Sequence, residues 1–161
     1  MKYLFIVQGE GRGHLTQAIS LSQMLRHHGH EVVEVLVGKS SNREIPSFFL
    51  EKIGAKVKTF ASPNFCYGRD HKKVKLAKSI LLNITVKKLR EYRKNVNLIH
   101  RHIQKMEPDV VINFYEILAG LVNLRFREHV PFVCIAHQFL MKHPDYQYGN
   151  GTRKEEILLR L

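Results

Sequence analysis

The sequence predicts an α/β protein built on a Rossmann-like, doubly wound parallel sheet of about five strands in the order 3-2-1-4-5. The first observation is that short apolar runs alternate with helix-like stretches along the whole chain. The second is that the first apolar run passes through a glycine-rich turn into an amphipathic stretch, which is typical of a βαβ unit. The third is that 161 residues, 44% of them hydrophobic and 25% charged, suit one domain with a real core.

The first forty residues predict a complete βαβ unit. Residues 2–8 are continuously apolar or β-branched, as in a strand that is buried on both faces. Residues 15–28 have apolar positions at helical spacing, and Gly29 follows as a helix stop. Residues 31–37 supply the second strand. The connection between these two parallel strands is expected to be right-handed.

A short helix and a third strand follow. Pro46 is well placed to begin a helix at 47–53, which Gly54 would close. Residues 56–60 alternate polar and apolar side chains, so we expect a strand near a sheet edge. Residues 61–71 have no regular pattern and predict an irregular loop.

The second half of the chain predicts a long helical stretch and two further strands. Residues 72–106 form one helix or two broken near residues 83–85, with an inward stripe at Leu89, Tyr92, Val96, Ile99, Ile103 and Met106. The remaining elements are a strand at 109–114, a helix at 117–128, a strand at 131–136 and a helix at 154–161.

The charge of the chain is strongly positive and uneven. The formal net charge is +12 at pH 7, and residues 69–105 carry twelve Lys or Arg against Asp70 and Glu91. Such a block suits a nucleic acid, an anionic membrane surface or a phosphate-bearing substrate, or it is a solvated helix face. Residues 72–86 are also broadly apolar, so we expect them either to lie on an anionic membrane surface or to be buried against another part of the protein. A nucleic-acid-binding module ranks low because no reading motif is present.

Cysteine usage and the N-terminus indicate a cytoplasmic protein. Cys66 and Cys134 are far apart in sequence, which suggests neither a disulfide framework nor a zinc site. The apolar N-terminal run is too short for a signal peptide. The histidines at 27, 28 and 30, and at 100 and 102, are interpreted as surface residues, and we expect no metal and no cofactor.

The glycine-rich turn is the strongest functional motif. Gly9, Gly11 and Gly13 lie at every second position and would let backbone N–H groups approach a ligand. His14 follows at or just before the first helical turn, where the helix dipole disfavours a protonated imidazole. We expect this neutral ring to face an open crevice and to accept a proton. The simplest alternative is that the glycines only allow close packing.

Three kinds of nucleotide-binding site can be compared with this region. The dinucleotide fingerprint wants a third small residue where His14 stands, and no acidic residue ends the second strand, so an NAD site is disfavoured. An NADP site stays open, because Lys39 and Arg43 could hold a 2′-phosphate. A P-loop is rejected because Val33 stands where its first glycine would be.

The predicted sheet order brings distant polar residues to one crevice. Ligands of doubly wound sheets bind beyond the carboxyl ends of the strands where the order reverses, here between strands 1 and 4. The residues placed there are His14, Asn113, Glu116, His137 and Gln138. Polar residues at strand ends are often only caps and turn formers, so each has a structural alternative.

The motifs resemble the N-terminal domain of GT-B glycosyltransferases. The pattern Gly9-x-Gly11-x-Gly13-His14, with Ala18-Ile19-x-Leu21 and the later Gly29-His30-Glu31-Val32, is similar to the opening of that domain. Asp109-Val110-Val111-Ile112 and Pro131-Phe132-Val133 with His137-Gln138 are similar to its later motifs. The resemblance covers about residues 1–140 and extends to the peptidoglycan-precursor UDP-N-acetylglucosaminyltransferases and related UDP-sugar transferases.

This resemblance implies a function. Residues 1–161 would be the Rossmann-like acceptor-binding half of a GT-B fold, with a nucleotide-sugar-binding C-terminal domain outside this chain. His14 would be the general base on an acceptor hydroxyl, with Glu116 as a substitute for the carboxylate that orients this base, since Asn113 is not acidic. Gly9, Gly11, Gly13, Asn113, His137 and Gln138 would bind substrate.

The implied reaction moves a sugar from a nucleotide-sugar to a hydroxyl of a glycan or lipid-linked acceptor. The fragment alone is expected to be inactive. A nucleotide-sugar epimerase, which shares the two-domain fold and similar glycine turns, is the alternative.

Overall fold

The computed structural model describes residues 1–63 and 85–135, and within them it has one five-stranded parallel sheet. The strands, in chain order, are β1 (Lys2–Gln8), β2 (Glu31–Lys39), β3 (Val57–Ala61), β4 (Val110–Phe114) and β5 (Phe132–Cys134). Their order across the sheet is β3-β2-β1-β4-β5. The predicted fold class and strand order are confirmed, and β3 is an edge strand as predicted.

Among residues 1–63 and 85–135, four helices lie between these strands. They are α1 (Arg12–His27), α2 (Ser47–Lys52), α3 (Val86–Met106) and α4 (Ile117–Phe126). Gly29 and Gly54 follow α1 and α2 with φ of 76° and 65°, the left-handed conformation that glycine adopts without strain. None of these helices is long and apolar enough to cross a membrane.

The helices cover both faces of the sheet. On one face, α1 and α2 pack on a core that includes Phe5, Leu15, Val35, Phe49 and Phe114. On the other face, α3 and α4 pack on a second core that includes Leu4, Leu36, Ile99, Val111 and Leu118. The side chains of β1 and β2 alternate between these cores, which is why both strands are almost continuously apolar.

Some element boundaries differ from those predicted. Helix α1 begins at Arg12 rather than at residue 15, because Gly11 takes the extended N-cap conformation. Helix α3 begins at Val86, and the Thr85 side chain accepts a hydrogen bond from the backbone N–H of Lys88. Helix α4 ends at Phe126 because Arg127 is left-handed, with φ of 47°. The predicted helices at 72–84 and 154–161 lie outside the described residues.

Two predictions about side-chain burial are wrong. Leu89 does not join the inward stripe of α3, since it is 50% exposed, whereas Tyr92, Val96, Ile99 and Ile103 are buried. His100 and His102 are not simple surface residues. The Nδ1 atom of His100 lies 2.5 Å from Glu128, and that of His102 lies 2.6 Å from the buried carboxylate of Glu34.

Candidate functional site

The carboxyl end of β4 forms a tight polar turn. Asn113 is the fourth residue of β4, and its side-chain Oδ1 accepts a hydrogen bond of 2.7 Å from the backbone N–H of Glu116. Its Nδ2 donates to the carbonyl of Glu116 at 3.1 Å. The amide of Asn113 therefore closes the turn between β4 and α4, which is the turn-former alternative for this residue.

Glu116 is buried at the start of α4. Its Oε1 accepts hydrogen bonds from the Ser62 hydroxyl at 2.5 Å and from the backbone N–H of Leu118 at 3.1 Å. Burial raises the pKa of this carboxyl to about 7, against the opposing effect of the two hydrogen bonds, and the nearby Glu10 adds to the rise. The carboxyl lies at the ends of β3 and β2, where it contacts Ser62 and Gly38.

The three glycines of the turn play different parts. Gly9 donates a hydrogen bond from its N–H to the carbonyl of Gly38 at 2.8 Å, and a Cβ on Gly9 would lie 2.7 Å from the Val37 side chain. Gly11 and Gly13 have room for a Cβ, since the nearest atom to one at Gly11 is 4.0 Å away and none lies within 4 Å at Gly13. Close packing thus requires glycine at Gly9 alone within this motif.

His14 lies in the first turn of α1 and is buried. Its ring stacks on that of Tyr115, with ring centroids 5.7 Å apart and planes 26° from parallel. The residue is only 7% exposed, so the expectation that the imidazole faces an open crevice is wrong. The reason is that Tyr115 follows β4 in the left-handed conformation, with φ of 58°, and its aromatic ring packs against the imidazole.

Charged side chains hold the glycine-rich loop after β1 against the end of β2. The carboxylate of Glu10 accepts a hydrogen bond of 2.6 Å from the backbone N–H of Ser40. Arg43 donates from Nε to the carbonyl of Gly9, and the Lys39 ammonium donates to the carbonyl of Ser40. In this structure the two cations suggested for a 2′-phosphate are thus engaged with loop carbonyls.

The topology brings part of the predicted site together. The carboxyl ends of β1 and β4 are adjacent in the sheet, so the glycine loop, His14, Asn113 and Glu116 share one edge. His137 and Gln138 lie outside the described residues. Sequence reasoning missed Tyr115, Ser62 and Gly38. Tyr115 and Gly38 carried a signal, because each directly follows a predicted strand at the edge where ligands bind.

No group of three or more metal-ligating side chains occurs among residues 1–63 and 85–135. The polar groups at this edge are suited to proton transfer and hydrogen bonding.

Comparison with known proteins gives a family match over the whole chain. The family model described as glycosyl transferase family 1 matches residues 1–161. No curated protein matches the chain.

Three solved structures are similar at low identity. MurG of Acinetobacter baumannii is 16% identical, with a TM-score of 0.46, and the match covers 83% of this chain and 34% of that one. The spinosyn rhamnosyltransferase SpnG, complexed with spinosyn aglycone, is 15% identical, with a TM-score of 0.46 and the same two coverages. The calicheamicin glycosyltransferase CalG4 is 16% identical, with a TM-score of 0.45, and the match covers 98% of this chain and 41% of that one. The chain thus spans between about a third and two fifths of the length of these proteins.

Proposed function

The chain belongs to glycosyl transferase family 1, and we propose that it is the acceptor-binding half of an enzyme that moves a sugar from a nucleotide-sugar to an acceptor hydroxyl. The donor would bind to a second domain outside residues 1–161. The acceptor is a glycan or a lipid-linked molecule. We propose that the reaction occurs in the cytoplasm, either in solution or on the inner face of the cell membrane.

The observation that supports this proposal is the position of His14. It lies in the first turn of α1, where no acidic side chain is present and the N-cap residue, Gly11, makes no side-chain cap hydrogen bond. The helix end also borders the point between β1 and β4 where the strand order reverses. Ligands of doubly wound sheets bind at that point.

In the proposed reaction, the His14 imidazole accepts the proton of the acceptor hydroxyl. The hydroxyl oxygen forms a bond to the anomeric carbon of the sugar, and the bond from that carbon to the phosphate oxygen breaks. The nucleoside diphosphate leaves with the bonding electrons. Because Tyr115 packs over the imidazole, the hydroxyl must approach the small exposed part of the ring, or Tyr115 must move.

Glu116 would support this site from a distance. Its carboxyl is bound by Ser62 and Leu118, so its contribution is to fix the turn after β4 that carries Tyr115. The glycines and Asn113 would likewise contribute by fixing the backbone of the two turns that form the acceptor surface. Direct substrate contacts by Gly9, Gly11, Gly13, Asn113, His137 and Gln138 remain part of the proposal.

The test is the substitution His14→Ala in the protein that contains this chain together with its donor-binding domain. Loss of a general base is expected to lower the transfer rate by roughly 10²–10⁴-fold. The matched control is His27→Ala, because His27 is an exposed histidine on the same helix. Transfer is measured from UDP-sugars to a panel of glycan and lipid-linked acceptors, and folding is followed by circular dichroism.

Two results would contradict the proposal. A folded His14→Ala protein with normal turnover would remove His14 as the base. Conversion of a UDP-sugar to its epimer without any acceptor would favour the epimerase alternative.

We also propose that residues 72–86 contact an anionic membrane surface. The support is the basic and apolar composition of this segment, of which only Thr85 and Val86 belong to the described residues. Val86 is 67% exposed at the start of α3. Co-sedimentation of the chain with phosphatidylglycerol vesicles tests this contact, and binding that depends on neither anionic lipid nor salt would rule it out.

A further inference from the structure

An apolar groove lies between α3 and α4, on the face of the sheet opposite to α1. Its volume is about 540 Å³, within the range of roughly 300–1,000 Å³ that is usual for small-molecule sites. Most of its apolar lining comes from the two helices, with Leu89, Tyr92 and Val96 on α3 and Ile117, Leu118, Leu121 and Leu124 on α4.

Helix α4 is apolar on both of its faces. Leu118, Ala119 and Val122 point inward and are buried. Ile117, Leu121 and Leu124 form a second stripe that is 58%, 45% and 77% exposed. A helix that is apolar all round is normally covered on every side. The outer stripe of α4 therefore favours an apolar ligand.

The groove opens at the edge of the sheet where the candidate site lies. Both helices run antiparallel to the strands, so their first residues lie at the carboxyl edge. Pro63, which lines the groove, lies two residues after the end of β3 at the same edge. Ile117 directly follows Glu116. An amphiphile with its polar end at the candidate site could thus extend its hydrocarbon chain into the groove.

The charges beside the groove are positive. Arg93 lies about two turns from the start of α3 and lines the groove. Arg125 lines its far end and lies over the ring of Phe126, 5.2 Å from the centroid. Glu91 is the only acidic residue within α3. An anionic head group near Arg93 would be paired, whereas a cationic one would be repelled.

We infer that this groove binds the hydrocarbon chain of an anionic amphiphile, a lipid phosphate being the chemistry that fits. This inference rests on the proposed function in one respect, since it makes the lipid-linked molecule the acceptor rather than a soluble glycan. A concave groove between two helices matches a single chain better than the flat surface of a bilayer. The bound chain would place the polar end of the acceptor next to Tyr115 and His14.

The experiment measures binding of monomeric n-dodecyl phosphate to the full chain by isothermal titration calorimetry, below the micelle concentration. Leu121→Gln and Ile117→Gln are expected to weaken binding at least about tenfold, because they remove apolar surface from the groove. The matched control is Leu50→Gln, since Leu50 is 52% exposed on α2, on the other face of the sheet. It should bind as the native chain does.

Two further probes separate the tail from the head group. Shortening the probe from dodecyl to decyl to octyl phosphate should weaken binding by about fourfold for each methylene that leaves the groove. Arg93→Gln should weaken the binding of n-dodecyl phosphate but leave the binding of the uncharged n-dodecyl maltoside unchanged. Circular dichroism confirms that each variant is folded, and all substituted positions are exposed.

Several results would overturn the inference. Equal affinity in the native chain and in both groove variants would do so, as would affinity that does not depend on chain length. Binding to vesicles of phosphatidylglycerol without binding of the monomeric probe would identify a membrane-docking surface instead, which also supports the contact proposed for residues 72–86. A native chain that binds neither would show that its own residues fill the groove.

The proposed function and this inference fail separately. The His14→Ala variant is judged by its rate of sugar transfer, and the Leu121→Gln variant by its binding of n-dodecyl phosphate. If His14→Ala retains transfer while Leu121→Gln loses probe binding, the base assignment fails and the groove stands. If His14→Ala abolishes transfer while Leu121→Gln binds normally, the groove assignment fails alone.

Discussion

Gly9 shows how a single position in a motif can be fixed by packing. A side chain there would meet the Cγ1 atom of Val37 at 2.7 Å and the carbonyl oxygen of Gly38 at 3.0 Å. The backbone N–H of Gly9 also bonds to that carbonyl, so the loop cannot move away without losing a hydrogen bond. Gly13 has no such neighbours. The packing alternative for the glycine motif therefore holds at one of its three positions.

We expect Gly9→Ala to destabilise the protein by about 1–3 kcal/mol, the usual cost of forcing extra atoms into a packed site. Gly13→Ala is the matched control, and it should be neutral or slightly stabilising because alanine favours the helix. Urea unfolding followed by circular dichroism measures both. Equal stabilities for the two variants would show that the loop shifts freely away from β2.

At the scale of elements, α4 combines a capped start with a weak interior. Glu116 caps its N-terminus through Leu118, and the left-handed Arg127 ends it. Gly120 lies in the middle of the helix and is exposed, and a Cβ at this position would meet no atom of a neighbouring element within 4 Å. Glycine there costs backbone entropy without any packing benefit. The helix depends on its contacts with α3 and the sheet for most of its stability.

Gly120→Ala is expected to stabilise the protein by about 0.5–1 kcal/mol, the usual difference between these residues inside a helix. Gly38→Ala provides the contrast, since its Cβ would overlap the carboxyl of Glu116 and lie 3.0 Å from the ring of Phe60. That variant should be destabilised. Thermal unfolding compares the two, and a loss of stability in Gly120→Ala would mean that its backbone departs from helical geometry.

At the scale of the whole molecule, Glu116 joins parts that are distant in sequence. Its carboxyl accepts from Ser62 at the end of β3, from Leu118 in α4, and lies against Gly38 in β2. The Oε2 atom is buried without a hydrogen-bond partner among the described residues. An ionised carboxylate in this position would be poorly solvated, which is why its pKa is raised.

This pKa makes stability depend on pH. The folded value of about 7 is above the ordinary value of 4.5, so between these values the folded protein holds a proton that the unfolded chain has lost. Stability should therefore fall as pH rises from about 4.5 to 7. The loss is at most about 3.5 kcal/mol at roughly 1.4 kcal/mol per pKa unit.

Chemical unfolding at intervals between pH 4.5 and 8 measures this slope. Glu116→Gln should flatten it, because glutamine does not titrate. Glu51→Gln, at an exposed position on α2, should keep the native slope. If the stability of Glu116→Gln depends on pH as strongly as that of the native protein, other groups cause the pH dependence.

The sequence by itself determined the element order, the parallel sheet and its 3-2-1-4-5 order. These follow from local periodicity, glycine and proline positions, and the rules for connecting parallel strands. It also placed His14 in the first turn of α1 and the carboxyl end of β4 beside it. The family membership agrees with the resemblance seen in the motifs around Gly9 and His14.

Only the tertiary structure decided which of these side chains are accessible. Tyr115 packs on His14 across 101 positions of sequence, and Ser62 reaches Glu116 across 54. Leu89 fits the inward pattern of α3 yet borders an open groove, because the neighbouring α4 leaves that space unfilled. Periodicity reports which face of an element is apolar. It contains no information on how closely two elements approach, and that distance sets the burial of His14, the pKa of Glu116 and the groove between α3 and α4.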